Sequence, residues 1–134
     1  MFEQLKDAGH RIALGTTCAQ DDLDCYYPLL GVRDLVDAVA CGDDVCRGKP
    51  HPDLFESVLQ QLRPSKLRHV LVIGDTPYDA EAARKVRVRA IGTTTGGFTQ
   101  TELENAGCVA VCLAPQELAE YLSNPAAVAD QFSF

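Results

Sequence analysis

The stretch His69-Val70-Leu71-Val72-Ile73-Gly74-Asp75-Thr76-Pro77-Tyr78-Asp79 decides how the chain is read. Val70 to Ile73 is a short apolar run rich in β-branched side chains, the composition of a buried strand in a parallel sheet. Gly74 then opens a turn and leaves Asp75 at the strand's carboxyl end. A helix is predicted to start at once. Thr76 can serve as N-cap, Pro77 suits the first helical position, and Asp79, three residues after the cap, can close a capping box. That cap accounts for Asp79 without a further role. Asp75 is the stronger functional candidate, because open α/β sheets bind ligands outside the carboxyl ends of their strands.

Upstream, Met1 to Ala8 read as a short helix stopped by Gly9, and Arg11 to Gly15 as a strand ending at Thr16-Thr17. A polar segment around Asp21, Asp22 and Asp24 follows, then helical and loop packing through Tyr26 to Leu30, and a second strand over Asp37 to Cys41. The loop Gly42 to Pro52 carries Gly48-Lys49-Pro50-His51-Pro52. Leu54, Phe55, Val58, Leu59 and Leu62 recur at helical spacing between Pro52 and Pro64. Downstream, Ala80, Ala82, Ala83 and Val86 give a helix with a narrow small-residue face, and Arg89 to Gly92 a strand. A hydroxyl-rich loop spans 93–97, a helix closed by Gly107 spans 101–106, a last strand spans 109–112 and a last helix 115–122. The alternation predicts right-handed crossovers and an α/β, Rossmann-like parallel sheet with helices on both faces. The core is assigned to 1–123, and 124–134 is a C-terminal tail with no assignable element.

At 134 residues the chain is read as one domain, large enough to bury roughly two thirds of its unfolded surface. Twelve Lys and Arg against nineteen Asp and Glu give a net charge of −7, with no basic run to neutralise phosphates. Nucleic acid and anionic membrane are therefore not expected as partners. No leader and no apolar run of membrane length is found, which predicts a soluble, cytoplasmic chain. Six cysteines without a C-x-x-C pair read as reduced thiols, with disulfides the lesser reading. His10, His51 and His69 are scattered and read as structural or solvated.

Thr16, Lys49 and Asp75 fall at or just after strand ends, so the topology predicts them at one sheet edge. A hydroxyl, an ammonium and a carboxylate suit a phosphate ester with a divalent cation. Thr16 can donate to a phosphoryl oxygen, Lys49 can neutralise charge, and Asp75 can hold Mg²⁺, which prefers carboxylate, phosphate and water oxygens. Singly each is weak, since a Thr after a strand is commonly a cap and a loop Lys is commonly solvated. Their order and spacing make the stronger signal.

Ile12-Ala13-Leu14-Gly15-Thr16-Thr17 resembles the second motif of the haloacid dehalogenase-like hydrolases, Gly48-Lys49-Pro50-His51-Pro52-Asp53 their third, and Gly74-Asp75-Thr76-Pro77-Tyr78-Asp79 their fourth. Thr95-Gly96-Gly97 and Ala106-Gly107 are similar to features of the phosphoglycolate-phosphatase-like branch. The resemblance implies a Mg²⁺-dependent phosphatase of small phosphomonoesters. In it Thr16, Thr17 and Lys49 hold the phosphoryl group, Asp75 ligates the metal, and Asp79 supports the metal or Lys49. Arg87 stands where the family usually has a glycine. The family's nucleophile lies in a D-x-D-G-T segment on a first strand, and by this resemblance the chain begins after that strand and the cap domain, leaving an incomplete core. Asp22-Leu23-Asp24 is the one D-x-D present, with no apolar strand before it.

A phosphate cradle and a metal without a nucleophile give little turnover, so the chain alone is expected to be inactive. The absent strand would lie between the strands at Ile12–Leu14 and Val70–Ile73. Its loss removes buried aliphatic side chains worth about 1.5 to 3 kcal/mol each. The expectation is that those two strands pair directly, or that two chains associate over the gap. The main alternative is a non-catalytic phosphate- or metal-binding module or assembly subunit. A signalling domain with a phosphoacceptor aspartate fits less well, since only Asp75 stands at a strand end.

Overall fold

The computed structural model describes residues 1–124 and 126. Most of the 124–134 tail therefore lies outside the described residues. The chain divides into two compact units, Met1–Arg63 and Pro64–Phe134.

The first unit runs α1 (Phe2–Asp7), β1 (Ala13–Gly15), α2 (Gln20–Leu30), β2 (Ala38–Ala40) and α3 (Asp53–Leu62), with 3₁₀ turns at Arg33–Leu35 and Gly42–Asp44. β1 and β2 are parallel, with Ala13 opposite Ala38 and Gly15 opposite Ala40. Where the sequence suggested a polar segment and then mixed packing, there is one helix, α2. Asp21 and Asp22 occupy its first turn, where carboxylates favour the positive end of the helix dipole. Leu23 and Tyr27, one turn apart, are its buried residues, and Gly31 ends it in the left-handed conformation. From α3, Leu54 and Val58 close over Ala40 and Ala13. Gln61 on the same helix closes one edge of β2: its Nε2 donates to the Val39 carbonyl at 2.8 Å and its Oε1 accepts from the Val39 amide at 3.3 Å. Asp37 ties α1 to the start of β1, accepting from Lys6 Nζ at 2.7 Å and from the Ile12 amide at 2.7 Å.

The second unit runs β3 (Leu71–Gly74), α4 (Pro77–Lys85), β4 (Arg89–Thr93), α5 (Gln100–Ala106), β5 (Cys108–Cys112) and α6 (Pro115–Ser123). 3₁₀ turns occupy Leu67–His69 and Thr94–Gly96. The sheet is parallel in the order β3-β4-β5. Its middle strand has helices on both faces. Ile91 packs with Leu118 of α6, whereas the next residue, Gly92, lies against Leu103 of α5, and successive strand residues point to opposite faces. α4 lays Ala80, Ala82 and Ala83 down as an almost fully buried stripe, the small-residue face read from the sequence. α5 carries a capping box that the sequence reading passed over, Thr99 with Glu102.

One expectation is corrected. The strand at Val70 to Ile73 reads as buried, yet Leu71, Val72 and Gly74 of β3 are half-buried and Ile73 is 41% exposed. Apolar composition suits burial, but among the described residues β3 ladders to β4 at the end of a three-stranded sheet. Among the described residues no helix is long and apolar enough to cross a membrane.

Candidate functional site

In the second unit Asp75 is displayed by local chemistry on both sides. Behind it, Thr76 and Asp79 form a reciprocal cap on α4. Asp79 Oδ2 accepts from the Thr76 amide at 3.1 Å and from Thr76 Oγ1 at 2.8 Å, and the Asp79 amide donates to Thr76 Oγ1 at 3.3 Å. Asp79 is only 5% exposed, so the cap is enclosed. Gly74 lets it form, since a Cβ there would stand 2.3 Å from Asp79 Cβ. On the other side the Thr94–Gly96 turn crosses Asp75 so closely that a Cβ on Gly96 would lie 2.3 Å from the Asp75 carbonyl oxygen and 2.9 Å from its Cγ. Asp75 itself is half-buried.

A cavity of about 300 Å³ opens beside it, lined by Ile73, Asp75, Thr93, Thr95, Pro115 and Leu118. The Thr93 and Thr95 hydroxyls are hydrogen-bonded to each other at 2.9 Å. The lining thus combines apolar side chains with one carboxylate and two hydroxyls. From the sequence the hydroxyls of Thr93 to Thr95 are candidates to line the site, with a plain loop the preferred reading. A Thr-Gly-Gly run directly after a strand was the available signal, because the first glycine admits the close approach to Asp75.

In the first unit Thr16 continues the β1 ladder, its amide donating to the Ala40 carbonyl at 3.0 Å. Its hydroxyl accepts from the Cys18 amide at 3.2 Å and donates to Cys18 Sγ at 3.3 Å. Thr17 is exposed at the tip. The loop carrying Lys49 comes to it: a Cβ on Gly48 would lie 3.1 Å from Thr17 Cγ2. Thr16, Thr17 and the Gly48-Lys49 segment are therefore gathered at the carboxyl end of this two-stranded sheet. Lys49 is half-buried. Next to it, Arg47 is held by Asp53, with Nη2 to Oδ1 at 3.1 Å.

Asp22 and Asp24 are exposed on the first turns of α2, with Asp24 accepting from Gln20 Nε2 at 2.9 Å. The one D-x-D of the sequence therefore sits on a helix. His10, His51 and His69 are exposed. Among the described residues no three His, Cys, Asp or Glu side chains gather as a metal cluster. Mg²⁺ does not require one, since it is commonly held by one or two carboxylates with phosphate and water completing its shell. Asp75, at a strand end beside an open cavity, has the donor chemistry for that. Asp79 has one carboxylate oxygen committed to the cap of α4.

Comparison with known proteins agrees with these motifs. Over 99 residues the chain is 31% identical to the pyrophosphatase PpaX of Bacillus thuringiensis (strain Al Hakam), a match covering 74% of this chain and 43% of that protein. A crystal structure of a hydrolase from Pseudomonas syringae superposes with a TM-score of 0.81 at 30% identity, over 90% of this chain and 55% of that one. CbbY from Rhodobacter sphaeroides, crystallised in complex with phosphate, gives a TM-score of 0.78 at 27% identity, over 96% of this chain and 55% of that one. The chain thus spans less than half of the pyrophosphatase it matches and just over half of these hydrolase structures. Residues 1–93 match the family model described as haloacid dehalogenase-like hydrolase. With that match over more than half its length, the chain belongs to the haloacid dehalogenase-like hydrolases.

Proposed function

We propose that this chain carries the phosphoryl-holding and metal-holding residues of a Mg²⁺-dependent phosphatase acting on small phosphomonoesters. The observation that carries the reading is the placement of Asp75, held at the carboxyl end of β3 between the capped start of α4 and the turn at Gly96. The pyrophosphatase relatives and the phosphate-bound CbbY structure support the same chemistry.

In this reading the Thr16 hydroxyl and the exposed Thr17 donate to phosphoryl oxygens, and Lys49 offsets their charge. Asp75 is the carboxylate ligand of Mg²⁺, and Asp79 is a positioning residue that fixes the turn on which Asp75 stands. When bound, Mg²⁺ would neutralise charge on the phosphoryl oxygens as a Lewis acid. The Thr16 hydroxyl accepts from the Cys18 amide and gives its one proton to Cys18 Sγ, so binding turns that proton from the sulfur to a phosphoryl oxygen.

The 134 residues hold no D-x-D-G-T segment, so the chain is expected to bind phosphate and metal and not to turn over. That same observation favours the second reading, a non-catalytic phosphate- or metal-binding module. Association of two chains over β3, at the end of its sheet, belongs to the proposal as well, motivated by the exposure of Ile73. Edge strands of this kind readily take a further strand.

The test is Mg²⁺-dependent phosphate release from p-nitrophenyl phosphate and acetyl phosphate by the 134-residue chain, beside Asp75→Ala and the Asp22→Asn/Asp24→Asn double variant. The expected result is no Mg²⁺-dependent release from any of them. Release that disappears with Asp75→Ala would confirm the metal ligand and overturn the expected inactivity. Loss in the double variant as well would locate the nucleophile on α2.

A further inference from the structure

We infer that Cys18 and Cys41 form an oxidant-sensitive pair that closes into a disulfide when the protein meets a peroxide. All six cysteines are free thiols in this structure, and these two differ from the rest in their placement. The Gly42 amide, directly after Cys41, donates to the Cys18 carbonyl at 2.8 Å. A single hydrogen bond between peptide groups therefore links the backbones of the two cysteines. Each Cα lies only two covalent bonds from one of the bonded atoms, which keeps the pair near the separation of about 4.4 to 6.8 Å that a disulfide spans. Both side chains enter one apolar cluster: Cys41 is fully buried there with Leu23 and Tyr27, and Cys18 packs against it half-exposed. Cys18 thus keeps partial access to solvent, and Cys41 has none.

That asymmetry assigns the order of events. A peroxide meets Cys18 first. The Cys18 sulfur attacks one peroxide oxygen, the O–O bond breaks, and the departing oxygen leaves as water, giving a sulfenic acid. Cys41 sulfur then attacks Cys18 sulfur. The S–S bond forms, the S–O bond breaks, and the hydroxide takes the Cys41 proton to leave as a second water. Burial holds the Cys41 thiol above its usual range, as do the nearby Asp43 and Asp44 charges. This suits the resolving position better than the attacking one.

The consequence falls on Thr16. Its hydroxyl donates to Cys18 Sγ in the reduced protein, and a disulfide turns that sulfur toward Cys41. Thr16 then loses the acceptor that holds its proton, which changes phosphate binding; this last step rests on the role proposed for Thr16 above.

The experiment treats the folded 134-residue chain with hydrogen peroxide, alkylates remaining thiols and maps peptides without reduction. The expected result is a Cys18–Cys41 linked peptide from monomeric protein and loss of alkylation at both residues. Dithiothreitol should reverse both changes. In Cys18→Ser, whose position is half-exposed, Cys41 should stay alkylatable after the same treatment. Linkage of Cys18 to the exposed Cys25 or Cys46 would overturn the inference, as would over-oxidation of Cys18 with Cys41 still a thiol. Phosphate titration of the oxidised monomer reads the second step. Unchanged affinity in a chain shown to hold the disulfide would refute the Thr16 coupling while leaving the pair itself established.

Discussion

Replacing Gly74 by alanine tests whether the Asp75 turn is held as described. The new Cβ would stand 2.3 Å from Asp79 Cβ, 2.5 Å from Cγ and 2.6 Å from Oδ2. No flexible chain end can give way, because the nearest atom is fixed to the backbone of α4. Either Asp79 turns out of its bonds to Thr76, or the first turn of the helix shifts. Losing the cap costs about 1 kcal/mol. Displacing a packed, buried segment costs a further 1 to 3 kcal/mol or so. Against this, alanine restricts the unfolded chain and returns about 0.4 to 1 kcal/mol. The net loss is about 2 kcal/mol, a large share of the roughly 5 to 15 kcal/mol typical of a folded domain. Urea denaturation followed by circular dichroism measures it. With slopes of about 1 to 3 kcal/mol per molar urea, the midpoint should fall by about 1 M. Asp79→Asn keeps the side chain's volume and one acceptor, and should cost less than Gly74→Ala. A Gly74→Ala midpoint indistinguishable from the parent would refute the packing argument.

Arg87 has a φ of 61°, a left-handed conformation costing an L residue about 1 to 2 kcal/mol. Arg87→Gly removes that strain, gives back about 0.5 to 1 kcal/mol of chain entropy, and should therefore raise the melting temperature; a lowered one would refute the strain. The carboxylates of Asp37, Asp44 and Glu102 accept backbone hydrogen bonds that hold them below their ordinary values of 3.8, 3.8 and 4.5, and in Asp37 the Lys6 hydrogen bond contributes most. Depressed folded values mean stability that is present above those ordinary values and lost as pH falls through the lower folded ones. Denaturation midpoints should therefore drop on acidification below about pH 4, where free carboxylates begin to protonate, and Asp37→Asn should flatten part of that acid limb. Gly96→Ala places a Cβ 2.3 Å from the Asp75 carbonyl oxygen and should weaken Mg²⁺ binding by about tenfold, or 1.4 kcal/mol. An unchanged titration would separate the Gly96 turn from the metal ligand.

The stretch from His69 to Asp79 was legible because its signals are local. A strand, a glycine, a threonine cap, a proline at the first helical position and a reciprocal aspartate all act within a few residues, and the structure has each of them. α2 was not legible as one helix, because Asp21, Asp22 and Asp24 read only as a polar segment and Pro28, a poor helix former, lies inside it. Its anchors, Leu23 and Tyr27, are only two. Burial of β3 was misjudged for a different reason: an apolar run records what a strand tolerates, whereas exposure depends on how many neighbours it is laddered to. The contact of Gly96 with Asp75 and the reach of Gln61 to Val39 are invisible to any periodicity, since they join residues far apart in sequence. Within their own units, the strand-end places of Thr16 and Asp75 were legible from the motifs, and the place of Asp79 in the α4 cap was read beside its metal role. Thr93 and Thr95, in the wall of the cavity beside Asp75, were weighed as site-lining hydroxyls but placed second to a plain loop, because no local signal separates the two.

The most direct test of the proposed site is an NMR titration of the isotope-labelled chain with Mg²⁺ and with inorganic phosphate, repeated on Asp75→Asn. The account predicts that Mg²⁺ shifts the amides of Asp75 and Gly96, and that phosphate shifts those of Thr16, Thr17 and Gly48. The Mg²⁺ response should vanish in Asp75→Asn while that chain stays folded. Mg²⁺ shifts scattered over the exposed carboxylates and unchanged by Asp75→Asn would contradict it.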